Sequence, residues 1–102
     1  MEDDYKSLYN NISAEYEAFK AKMFKNSKEE IYLNCGKIHF YTCIYDYFNE
    51  NEQISEKHLN TLASYQFPIC SLWKIYLKYD SLKYDNWNDI EEILDVMYYK
   101  KQ

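Results

Sequence analysis

The chain contains no arginine, one glycine, one proline and three cysteines in 102 residues. Without arginine there is no guanidinium to clamp a carboxylate or phosphate through paired hydrogen bonds, or to act as an arginine finger, so phosphoryl transfer lacks its usual tools. So few glycines and prolines exclude a glycine-rich phosphate loop, a collagen-like segment and an extended flexible linker. Cys35 and Cys43 lie about 12 Å apart along a helix rising 1.5 Å per residue, too far to bridge, and an odd count fits reduced thiols, expected to be buried in the core. No apolar run approaches the roughly 18 to 20 residues that span a bilayer, and Met1-Glu2-Asp3-Asp4 is acidic where a secretory signal would be basic. A cytoplasmic protein is expected.

What the chain has in quantity is aromatic side chains and negative charge. Thirteen tyrosines, five phenylalanines and two tryptophans accompany a net charge of -5. The twelve basic residues, all lysine, are dispersed rather than gathered into a stripe, which disfavours direct nucleic-acid binding. The length fits one domain over residues 1–102, and the aromatic content argues for a folded one.

Leu8, Ile12, Tyr16, Phe19 and Met23 recur at helical spacing and predict an amphipathic helix over residues 4–25. Ser27 and Glu30 form an S-x-x-E capping box that starts a second helix. One stripe of that helix carries Ile31, Cys35, Ile38, Thr42 and Tyr45, and another carries Leu33, Phe40, Ile44 and Tyr47. A helix apolar on so many sides is either the centre of a bundle or keeps one face for a partner. Gly36 within it would let a neighbouring helix approach closely. After the polar connection Asn49-Glu50-Asn51-Glu52, Ser55 caps a short third helix with Leu59 and Leu62. Pro68 suits the first turn of a fourth, which carries Ile69, Leu72, Trp73 and Tyr76. Asp85 or Asn86 caps a fifth, with Ile90, Ile93, Leu94 and Met97 facing inward. The expected fold is all-α: a compact bundle of four principal helices plus one short helix.

Chemistry has few footholds. Cys35, His39 and Cys43 follow a C-x3-H-x3-C spacing, but the outer pair is too far apart for one ion, and further ligands would have to come from Cys70, His58 or distant acids. No metal and no cofactor are expected. A nucleophile would need a base and an orienting acid. The only imidazoles are His39 and His58, and no G-x-S-x-G elbow occurs. Glu29-Glu30 and Glu91-Glu92 are sequence neighbours, about 100 degrees apart around a helix rather than convergent. No enzymatic activity is expected, with a small enzyme or metal protein built on Cys35, His39 and Cys43 as a remote rival.

Twenty aromatic rings are more than a small bundle can readily hide, so some should be exposed. Tyr79, Asp80, Tyr84, Asp85, Trp87 and Asp89 mix aromatics with carboxylates, a pattern suited to a basic protein groove that normally receives nucleic acid. Phe40 and Tyr47 join them as candidate protein-binding residues if the second helix keeps an outward apolar face. That same face could close a homodimer, giving a homo-oligomeric structural or regulatory module as the alternative.

Leu8-Tyr9, Glu15, Phe19, Glu29-Glu30-Ile31, Ile54-Ser55, Leu62 and the stretch from Pro68 to Ile90 together resemble a family of small helical domains of unknown function. These domains occur in Clostridia and related gut Firmicutes, often on conjugative elements and prophages and sometimes beside antirestriction-type proteins. The resemblance covers most of the chain, rests on core and capping positions, and transfers no catalytic residue. It implies a mobile-element protein acting against host defence. By analogy with anti-CRISPR proteins, the expected partner is a CRISPR effector or restriction nuclease, blocked sterically and electrostatically.

Overall fold

The computed structural model describes residues 5–101. Among them the regular structure is entirely helical: α1 (Lys6–Phe24), α2 (Lys28–Leu33), α3 (Cys35–Glu50), α4 (Glu56–Ala63), α5 (Pro68–Lys78) and α6 (Trp87–Lys101). The acidic start at residues 1–4, and with it the first residue of the expected 4–25 helix, lies outside the described residues.

The all-α expectation is met, but the expected second helix is two. Asn34 divides it, with φ of -103° and ψ of 12°. Its backbone N–H donates to Glu30 and Ile31 carbonyls, and its side-chain amide donates to the Glu30 carbonyl at 2.8 Å. Asn34 thereby closes α2, and its own carbonyl opens α3 by accepting Ile38 N–H at 2.9 Å. Asparagine side chains compete with the helix ladder in this way without any need for proline or glycine. Gly36 lies just beyond the break, where an added Cβ would meet nothing within 4 Å, so it serves no close helix approach.

Helix starts follow local chemistry where it is available. Ser27 Oγ accepts Glu30 N–H at 3.2 Å, Pro68 occupies the first turn of α5, and Asn86 Oδ1 accepts Asp89 N–H at 2.9 Å ahead of α6. Ser55 precedes α4 but makes no side-chain cap.

α3 is the hub. It packs against α1 on one side and α5 on another, while α6 rests on α5 and α4. Phe40, Ile44 and Tyr47 of α3 are 0%, 0% and 1% exposed and share one core cluster with Leu62, Ile69, Leu72, Ile93 and Met97, all 0% exposed. Each such side chain contributes roughly 1.5–3 kcal/mol by leaving water. Two stacked pairs seal α1 to α3: Tyr16 on Tyr45 at 4.2 Å and Phe19 on Tyr41 at 3.9 Å between ring centroids.

The position of Phe40 and Tyr47 corrects the expectation that they face a partner. Neither ring can form a docking or dimer surface without unpacking the core, because the apolar faces of α3 are occupied by its own neighbours.

Candidate functional site

The acidic and aromatic segment joins α5 to α6. Between Tyr79 and Glu92 it holds five carboxylates and one lysine. Its six candidate residues divide by orientation.

Tyr79, Asp80, Asp85 and Trp87 are exposed. The Tyr79 ring has Lys78 Nζ and Lys100 Nζ at 5.8 and 5.7 Å from its centroid, close enough for cation–π attraction. Trp87 is 44% exposed and rests one edge on Tyr47 at 5.7 Å between centroids. A core ring thus supports an aromatic side chain that faces water.

Tyr84 and Asp89 face the other way. The Tyr84 ring packs edge-on against Phe40 and Tyr76, each at 5.1 Å, and its hydroxyl lies 3.3 Å from His39 Nδ1. Burial foremost, then nearby Tyr76, Cys43, Asp85 and Cys35, pushes its hydroxyl pKa up. Asp89 Oδ2 accepts the Asp85 backbone N–H at 3.1 Å, while its own N–H donates to Asn86. These two side chains hold the connection in shape. The outward candidates are therefore Tyr79, Asp80, Asp85 and Trp87, on a segment pinned from below by Tyr84 and from its far end by Asp89.

The thiol and imidazole cluster adjoins this segment. Cys43 Sγ lies 3.5 Å from His39 Nε2. Burial pushes the Cys43 thiol up, and the carboxylates of Asp46 and Asp85 push it the same way. That is opposite to what a nucleophilic thiolate needs. Among the described residues no three His, Cys, Asp or Glu side chains converge as a metal ion would require.

Two features escaped sequence reasoning. His58 is 5% exposed, and its Nε2 lies 2.6 Å from Oδ1 of the half-exposed Asp95, a polar contact that joins α4 to α6. Its signal was too weak to find, since a lone histidine on a short helix reads as surface. The other is the exposure of Phe24 and Tyr32, whereas Leu33, also exposed, stands on the second apolar stripe read from the sequence. Of these, Phe24 lies off the α1 stripe, an offset the helical period reveals. No family model, curated protein or solved structure matches this chain.

Proposed function

We propose that the chain is a non-catalytic interaction module of a phage or other mobile element. It inhibits a host defence nuclease, of the CRISPR effector or restriction type, by docking the α5–α6 connection in the nuclease's nucleic-acid groove. Tyr79 and Trp87 are the anchors, and Asp80 and Asp85 occupy the sites where lysines or arginines of the target would hold phosphate. The observation that carries this reading is the pairing of exposed rings with exposed carboxylates on one short segment already fixed by Tyr84 and Asp89. A segment ordered before binding loses less conformational entropy on docking. The net charge of -5 favours such a groove, while the interspersed lysines favour a local acidic patch over mimicry of DNA by the whole surface.

The test is co-purification with CRISPR effectors and restriction nucleases, followed by a cleavage assay with each purified partner. A stoichiometric complex that slows cleavage is expected. Asp80→Lys with Asp85→Lys, or Tyr79→Ala with Trp87→Ala, should weaken it by at least about tenfold while helicity is kept. No stable complex and unchanged cleavage would defeat the reading.

A further inference from the structure

His39 and Cys43 stand one turn apart on the same side of α3, and His39 Nε2 lies 3.5 Å from Cys43 Sγ. The pair is at the surface, with His39 exposed and Cys43 half-buried. As a hydrogen bond the contact is weak, because a thiol is a poor donor and a poor acceptor. As a pair of metal ligands it is well spaced. Tetrahedral zinc holds nitrogen at about 2.0–2.1 Å and sulfur at about 2.3 Å, and two such bonds about 109 degrees apart place their ends about 3.5 Å from each other.

The other imidazole nitrogen already has a partner. Nδ1 lies 3.3 Å from the Tyr84 hydroxyl. With its proton on Nδ1 and donated to that oxygen, the ring keeps the Nε2 lone pair toward Cys43. Metal-binding histidines are oriented in this way, by a group on the nitrogen that does not bind the ion. Tyr84 is itself packed edge-on against Phe40 and Tyr76, so the imidazole leans on a fixed group. The local charge suits a cation too, since the carboxylates of Asp46 and Asp85 are near enough to act on the Cys43 sulfur.

One chain supplies only half of such a site. Among the described residues no third His, Cys, Asp or Glu joins the pair as an ion would need, whereas structural zinc takes four ligands. A two-fold axis through the ion repeats the pair and completes a set of two thiolates and two imidazoles, a tetrahedral donor set that selects zinc over hard cations.

We propose that His39 and Cys43 from two copies of this chain together bind one zinc ion, which joins the copies as a dimer. As the sulfur–zinc bonds form, each thiol releases its proton to solvent, and the two thiolates balance the two positive charges of the ion. Without the ion, two chains of net charge -5 repel each other, and Phe40 and Tyr47 are buried in their own core rather than offered to a partner. Cys35, eight residues from Cys43 along α3, stays outside the set.

The test titrates the reduced, metal-free full chain with cobalt(II), a spectroscopic stand-in, and with zinc. Cobalt should give a sulfur-to-metal charge-transfer band and the strong visible bands of a tetrahedral thiolate site, saturating at one ion for two chains. Sedimentation should show a monomer that becomes a dimer with zinc and reverts with EDTA. Cys43→Ser and His39→Ala should each abolish the bands and the dimer, while Cys35→Ser keeps both. Because His39 is exposed, His39→Ala should leave metal-free thermal unfolding close to native, so its loss of zinc reports on the ion and not on the fold. Tyr84→Phe, which keeps the ring and removes only the hydroxyl on Nδ1, should weaken zinc binding by about 10–100-fold. The proposal is overturned by cobalt spectra without a thiolate band, by one ion per chain without a dimer, by a dimer that persists in EDTA, or by zinc binding that survives Cys43→Ser or is lost in Cys35→Ser. None of these measurements involves a nuclease, so their outcome is separate from that of the docking proposed above.

Discussion

The Glu15 carboxylate on α1 accepts the backbone N–H of Cys70 on α5 at 2.8 Å, and its other oxygen takes the N–H of Ile69, also at 2.8 Å. α5 has no cap from its own segment, since Phe67 stands at the N-cap position and makes no side-chain bond. A carboxylate from elsewhere in the chain satisfies two of the donors that every helix start leaves open, at the end where the helix dipole favours negative charge.

Glu15→Ala should therefore destabilise the fold by about 1–3 kcal/mol, read from urea unfolding, because two N–H groups lose their acceptor. Glu15→Gln, which keeps one acceptor oxygen, should lose less. The charge carries its own signature. Burial raises the Glu15 pKa above 4.5, with the two backbone bonds pulling it back. The folded state thus holds that proton to higher pH than the unfolded chain. The stability linked to it is complete below the unfolded value and is lost as pH rises through the folded one. Glu15→Gln should remove this slope from a plot of stability against pH.

The His58 and Asp95 pair predicts an asymmetry among three neighbouring residues. Asp95 Oδ1 also lies 3.6 Å from Lys57 Nζ, but Lys57 is exposed whereas His58 is buried. Asp95→Ala leaves a buried ring nitrogen without its partner and should lower stability by about 1–3 kcal/mol. Lys57→Ala removes only an exposed ion pair and loose contacts with the Tyr98 and Tyr99 rings, so its effect should stay below about 1 kcal/mol. Urea unfolding of both single variants decides this.

Much of the fold was legible in the sequence because much of it is locally determined. Ser27, Pro68 and Asn86 mark helix starts through groups within a turn of the residues they cap. What was not legible depends on distant partners. Glu15 reads as a solvated charge until α5 lies against α1, and the break at Asn34 needs the backbone course around it. Phe40 and Tyr47 show why an apolar stripe cannot reveal its own partner: a helix apolar all round fits the centre of a bundle and a two-sided interface alike, and only the packing of α1 and α5 on α3 decides. The candidate site was half legible for the same reason. The mixture of rings and carboxylates between Tyr79 and Asp89 is visible in the sequence, but the inward turn of Tyr84 depends on where His39 and Tyr76 stand.

Cysteine reactivity should follow burial and charge in a fixed order. The expected burial of the three cysteines is not met: Cys35 is exposed and Cys70 half-buried, while Cys43 is partly buried beside Asp46 and Asp85 and its pKa is raised. Because the thiolate is the reactive form, iodoacetamide near neutral pH should label Cys35 well before Cys43. Labelling of Cys43 should climb only at a pH above the free-thiol value of about 8.5. Peptide mapping by mass spectrometry separates the two sites. Fast labelling of Cys43 at neutral pH would mean that His39 activates it, reopening the case for nucleophilic chemistry.

The two tyrosines that bound the α5–α6 connection should part company on substitution. Tyr84 packs on Phe40 and Tyr76, so Tyr84→Ala opens a gap beside the core and should lower stability by about 2–4 kcal/mol. Tyr79 lies at the rim with its ring between two lysines, so Tyr79→Ala should change stability by less than about 1 kcal/mol. Loss of partner binding in Tyr84→Ala would then be ambiguous, since an unpinned connection and a missing contact give the same result. Tyr84→Phe resolves it, because the ring contacts survive and only the 3.3 Å contact with His39 is lost. If the outward residues carry recognition, Tyr84→Phe should bind a nuclease partner as the native chain does, and Tyr79→Ala should not. The opposite ranking would move the docking surface inward, to the contacts of His39 with Cys43 and Tyr84.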